Sequence, residues 1–263
     1  MATVREIFSF IDQWAPFETQ MSFDNAGFLV GRGERTVNKV LVALDITEEV
    51  VVEAVRLGVQ LIVAHHPVIF HPVKQITDDS VEGRKLLALT EQGIAAICAH
   101  TNLDAAAGGV NEELARVLGL SNVRQLHQDG IDAYGRPYGI GRVGEVEKCS
   151  LEEFAKRVKA TLEVAGVRFY DASHPVCHVA VGGGSCGSML SDVLAQGCDT
   201  FVTADVKYDV FLEAKALGIN LIDAGHFSTE QVVCPVLKKQ IERAFPNLEV
   251  YLSQCQKEAF SCC

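Results

Sequence analysis

Apolar runs of strand length recur along the chain, and stretches with helical spacing separate them. Residues 3–15 place Val4, Ile7, Phe8, Ile11 and Trp14 on one helical face before Pro16. Val40-Leu41-Val42-Ala43-Leu44 follows as a continuous run of buried-strand length, and Thr47 then stands where an N-cap should for a helix reaching about Leu57. From there a loose repeat emerges. Four times a helix ends at a glycine, an apolar strand follows, and an alanine precedes a polar residue: Gly58 to Ala64-His65-His66, Gly93 to Ala99-His100, Gly197 to Ala204-Asp205, and Gly218 to Ala224-Gly225-His226. Each glycine fits the left-handed position that closes a helix. The unalternating runs suit strands covered on both faces, as in a parallel sheet.

The pattern predicts an α/β fold of two interlinked lobes with mainly parallel buried strands. Residues 1–128 make the first lobe, rejoined by a C-terminal helix and strand at about 229–263, and residues 129–228 make the second. A polar, glycine-containing seam at 125–135 marks the join. Strands are expected at 138–144, 166–171, 177–182 and 249–252. Ser150 with Glu153 spells a capping box for a helix at 150–162, and further helices are expected near 187–196, 209–217 and 229–244. In such sheets ligands gather at the carboxyl ends of the strands, where all four polar endings of the repeat fall, between the lobes.

Composition narrows the class. The chain has 263 residues, 48% hydrophobic and 22% charged, with a formal net charge of −11, which argues against general nucleic-acid binding. No basic and apolar leader opens the sequence, and no run approaches the roughly 18 apolar residues of a membrane span. The nine cysteines are scattered without a C-x-x-C pair. They read as reduced thiols of a cytoplasmic protein, with Cys255, Cys262 and Cys263 exposed in a polar tail.

The residues that carry chemistry are His65, His66, His100, Asp104, His226 and Glu230. Two adjacent imidazoles at a strand end, closed by Pro67, make poor core residues because each ring needs a polar partner. Nitrogen and carboxylate donors without thiolates suit Zn, Fe, Mn, Co or Ni held for catalysis, and this many donors suits two ions. His226 and Glu230 stand one helical turn apart if a helix begins near Ser228, whereas Thr101-Asn102-Leu103, between His100 and Asp104, reads as a loop. Gly182-Gly183-Gly184 joins a strand to a helix. Gly183 and Gly184 are candidates to offer N–H groups to a substrate anion, or they form a tight structural turn. Lys207 is a candidate phosphate contact or a surface lysine. Asp24-Asn25 reads as a turn closed by side-chain hydrogen bonds, and His71, His127, His174 and His178 as structural or surface residues.

Ala64-His65-His66-Pro67-Val68-Ile69-Phe70, His100-Thr101-Asn102-Leu103-Asp104 and Asp223-Ala224-Gly225-His226-Phe227-Ser228-Thr229-Glu230 resemble the motifs of the Nif-three-like family. Its members are also labelled GTP cyclohydrolase I type 2 homologues. Ser22–Gly27 and Gly139–Gly144 match further family segments, and the chain looks like the short form without an inserted mid-chain domain. The resemblance implies a dinuclear metal site with His65, His66, Asp104, His226 and Glu230 as ligands, Glu230 bridging both ions. It also implies His100 beside the site, supporting the ligands or facing the substrate and, in a cyclohydrolase reaction, the natural proton shuttle; a small-molecule, nucleotide-like substrate; and assembly into a toroidal homohexamer. Ala204 and Asp209 depart from the family, which usually has glycine and histidine at those positions. The implied reaction is a metal-dependent hydrolysis. A dinuclear phosphoesterase uses the same ligand set, and a regulatory, metal-delivery or scaffold protein could hold the same metals without catalysis.

Overall fold

Three parallel strands, Lys39–Ala43, Leu61–Ala64 and Ala95–Cys98, form the centre of a five-stranded sheet in the computed structural model, which describes residues 2–261. Glu249–Leu252 adds to one edge in parallel, and Gly27–Val30 closes the other edge antiparallel. Leu61–Ala64 and Ala95–Cys98 are buried along their whole length, as unalternating runs require. Helices Glu48–Leu57 and Val81–Glu91 cover one face of the sheet. Thr47 and Ser80 cap them by accepting the N–H of Val50 and Gly83. This unit takes the chain through Leu103 together with Cys234–Lys257.

The second unit runs from Asp104 to Val233 and regains the chain at Glu258. Its six-stranded sheet is mixed. Val176–Val181, Thr200–Thr203 and Asn220–Asp223 run parallel, Arg142–Cys149 and Arg168–Tyr170 flank them antiparallel, and Ser121–Gln125 pairs antiparallel with Arg142–Cys149 at the outer edge. The break at Leu103 and Asp104 lies earlier than residue 128. The reason is that the Val110–Val117 helix adds Leu114 and Ala115, with Leu118 and Leu120 after it, to a core built with Phe154, Val179 and Val202 of the second sheet.

The capping box at Ser150 and Glu153 forms as its sequence predicts. All four repeat glycines hold positive φ: Gly58 66°, Gly93 63°, Gly197 71° and Gly218 69°. Other boundaries moved. The strand expected at 138–144 runs instead over Arg142–Cys149, and the helix expected at 229–244 is two, His226–Gln231 and Val233–Ala244. Cys255 is exposed as expected, whereas Cys262 and Cys263 lie outside the described residues.

Strand register decides where the polar endings go. Ala43 pairs with Ala64 and Ala64 with Cys98, so Asp45, His65, His66 and His100 leave the same edge of the first sheet. In the second sheet Val181 is in register with Val202 and Thr203 with Asp223, so Gly182–Gly184, Asp205 and His226 likewise share one edge.

Candidate metal centre

Among the described residues, histidine, aspartate and glutamate side chains form groups able to hold a metal ion. One such group, His65, His66 and His100, lies wholly in the first unit, with one donor atom from each within 4.8 Å of the others. His65 is fully buried. Its Nδ1–H donates to the carbonyl of Ala99 at 2.8 Å. A carbonyl only accepts, so in the neutral ring Nε2 carries the lone pair. His66 donates from Nδ1 to Asp45 Oδ1 at 2.7 Å, and His100 donates from Nδ1 to Asp24 Oδ1 at 2.8 Å. The three ring centroids are 5.0–5.5 Å apart.

Asp24 organises more than one neighbour. Its carboxylate also accepts the N–H and Oγ1–H of Thr101. Burial alone would raise this carboxyl, but the hydrogen bonds from His100 and Thr101 outweigh it and hold it down at about 2. The contact satisfies an orphan amide at the start of a short helix, Thr101–Ala105, where the sequence reads as a loop. The cap lies 77 residues away in the chain and leaves no local trace at 101–105.

In the second unit, His226 begins the His226–Gln231 helix and Glu230 follows one turn on, buried. His226 donates from Nδ1 to Asp205 Oδ2 at 2.7 Å and turns Nε2 toward Glu230 Oε2 at 3.0 Å. A ring nitrogen lone pair facing a carboxylate oxygen is repulsive unless a proton or a metal cation lies between them. Asp104 is also buried, and its backbone carbonyl accepts from Asn111 Nδ2 at 3.0 Å. Burial pushes the Cys186 thiol up, with the Asp104 and Glu230 carboxylates adding to the effect, and its Sγ–H donates to the carbonyl of Gly183 at 3.3 Å.

Gly183 and Gly184 lie against this carboxylate. Gly184 has φ 66°, and a Cβ there would run into Glu230 Oε1 and come within 3.3 Å of His226 Nε2. The N–H groups expected to receive an anion are already committed. Gly183 donates to Asn111 Oδ1 at 2.8 Å, and Gly184 donates to Thr229 Oγ1 at 3.1 Å. The turn thus makes room for Glu230. Lys207 is exposed at the start of the Tyr208–Leu217 helix. His71, His127, His174 and His178 belong to no metal-capable group among the described residues.

Sequence reasoning gave Asp24 and Asp45 no part in the site, and counted Asp205 among the polar strand endings without a partner for it. Asp45 and Asp205 each stand just past the end of an apolar strand, which was the available signal. Asp24 offers none beyond its turn. The donor set fits divalent ions: four imidazoles whose Nδ1–H is tied to an oxygen acceptor, and two buried carboxylates.

A profile of the Duf34/NIF3 family (NGG1p interacting factor 3) matches residues 2–259. A Clostridium perfringens protein named GTP cyclohydrolase 1 type 2 homolog is 34% identical, over 98% of this chain and 98% of its own. A Staphylococcus aureus hypothetical protein of known crystal structure superimposes with a TM-score of 0.92 at 32% identity, covering 99% of each chain. The crystal structure of a Bacillus cereus protein related to NIF3 gives 0.93 at 27% identity over 100% of this chain and 99% of that one.

Proposed function

Because the chain belongs to the Duf34/NIF3 family, we propose that His65, His66, Asp104, His226 and Glu230 hold two divalent metal ions and that the protein is a metal-dependent hydrolase of a nucleotide-like substrate. The observation that carries this reading is the shared anchoring of the histidines. Each Nδ1–H is fixed by a carbonyl or carboxylate, which orients the ring and presents Nε2 as the donor. Divalent ions bound there supply Lewis acidity that makes water a competent nucleophile at neutral pH.

The chain's own residues do the rest. His100, held through Nδ1 by Asp24, keeps Nε2 for moving a proton to or from the substrate, a task suited to an imidazole near neutral pH. Glu230 has the clearance of Gly184 to keep its carboxylate in place. Lys207, exposed two residues after Asp205, would meet a phosphate of that substrate. The name borne by the clostridial relative points to a guanine nucleotide, whose imidazole ring would be opened by water at C8 with release of formate. The family resemblance further suggests a ring of six chains.

The test is a metal-analysed, metal-reconstituted preparation assayed against GTP and a panel of phosphoesters, alongside Glu230→Ala and His65→Ala. We expect metal content to fall in both variants and turnover of GTP to fall at least a hundredfold. Turnover that survives both substitutions belongs to a contaminant. Tight metal binding with no turnover on any substrate assigns the protein a metal-binding role without catalysis, and turnover of phosphoesters alone makes it a phosphoesterase.

A further inference from the structure

Two phenyl rings stand in solvent beside the histidine group of the first unit. Phe23 is 61% exposed and Phe70 37% exposed, with centroids 6.5 Å apart and planes inclined at 60°. Phe70 in turn meets His100 edge-on at 6.1 Å, and His100 meets the buried His65 at 5.2 Å. The four rings make a graded series from solvent to core. Large apolar rings left in water are unfavourable, and a cluster of them beside polar chemistry marks a recognition surface.

The backbone under the two rings is fixed. Asn25, two residues after Phe23, donates from Nδ2 to the carbonyl of Ile69, next to Phe70, at 2.6 Å. Its backbone N–H donates to Asp24 Oδ1 at 2.6 Å, and Met21 N–H donates to Thr101 Oγ1 at 2.9 Å. Asp24, adjacent to Phe23, carries the hydrogen bonds from His100 and Thr101 already described. The loops bearing Phe23 and Phe70 are therefore clamped to each other and to His100 while the rings themselves stay uncovered. Such preorganisation lowers the cost of ordering on binding.

We infer that Phe23 and Phe70 form a stacking platform for the planar heteroaromatic ring of a small-molecule substrate, presenting the ring's polar edge to His100. The platform rests on the reading of the histidine group as part of a hydrolytic site. It adds to that reading the residues that select a base-bearing ligand over a bare sugar phosphate. Offset and tilted aromatic contacts of this kind favour a flat ring over an aliphatic group of equal area.

The test uses the full-length protein and measures equilibrium binding of GTP, ATP, UTP and flavin mononucleotide, with ribose 5-phosphate as the base-free control. Metal content and sedimentation are followed in parallel. Phe23→Leu and Phe70→Leu should each weaken binding of the preferred planar probe at least about fivefold and leave ribose 5-phosphate binding and metal content unchanged. Phe23→Trp, which keeps a π face, should restore it. If a planar ligand other than GTP shows this dependence, the platform stands and the guanine reading falls. The platform is overturned if both leucine variants bind the planar probe like the parent protein. It is also overturned if no planar probe binds better than ribose 5-phosphate, or if the leucine substitutions change the sedimenting mass, which would show the rings covered by a second copy.

Discussion

Asp205 holds a left-handed backbone, φ 51°, unfavourable for a residue with a side chain, and uses its carboxylate to fix Nδ1 of His226. Strain and partner can be separated. Asp205→Ala and Asp205→Gly should both weaken metal binding about 10- to 100-fold, while only the glycine variant relieves the backbone and gains in melting temperature. Equal metal affinity in all three proteins would remove Asp205 from the site. Asp24 carries a different signature. Its carboxyl is depressed from an ordinary 3.8 to about 2, so the stabilisation it gives is complete above the ordinary value and is lost as pH falls toward the depressed one. Asp24→Asn should therefore flatten the decline of melting temperature between about pH 4 and pH 2. An unchanged slope would mean that acid sensitivity originates elsewhere. The candidates His65, His66 and His226 were legible because polar side chains at the ends of apolar strands are anomalous in themselves, and Glu230 because it stands one helical turn after His226. Asp24 was not, since its contacts to His100 and Thr101 cross more than seventy residues of sequence.

At the scale of elements, the repeat was readable because glycine has a local backbone reason to sit where a helix ends. Gly218 is the cleanest instance. Its φ is 69° and a Cβ there would meet nothing within 4 Å, so Gly218→Ala should cost about 1 kcal/mol from backbone conformation alone. Chemical denaturation measures it, and no loss would mean the segment relaxes out of the left-handed region. The edge strand Ser121–Gln125 escaped notice for the opposite reason. It is almost wholly exposed and carries no alternation of apolar and polar residues, so it becomes a strand only through pairing with Arg142–Cys149. The break between His226–Gln231 and Val233–Ala244 does have a mark in the sequence: Pro235, in the first turn of the second helix, has no N–H to continue the ladder from Gln231, a sign the expected single helix passed over.

Over the whole molecule, each unit interrupts the other in sequence, a connectivity that local periodicity only hints at. Arg142 shows how the second unit settles its loops. It is 1% exposed, its guanidinium donates to the carbonyls of Ala105, Ala106, Gly139 and Gly141, and it pairs with Glu112 at 3.3 Å. Removing it strands several buried acceptors, so Arg142→Leu should lower unfolding stability by about 3 kcal/mol or more. A loss under about 1 kcal/mol, the size of an ordinary hydrogen bond, would show that water replaces it. Among the described residues no helix is long and apolar enough to cross a membrane.

The anchoring of the four Nδ1 atoms reaches beyond geometry, to the order of events after synthesis. Every one of those tethers comes from the ring's own unit, from Ala99, Asp45, Asp24 or Asp205. The imidazoles consequently need no ion to find their orientation, unlike a small zinc module that collapses when stripped. Ions bound as proposed would meet rings that the protein has already turned, and availability would then have as much say as affinity in deciding which element is held.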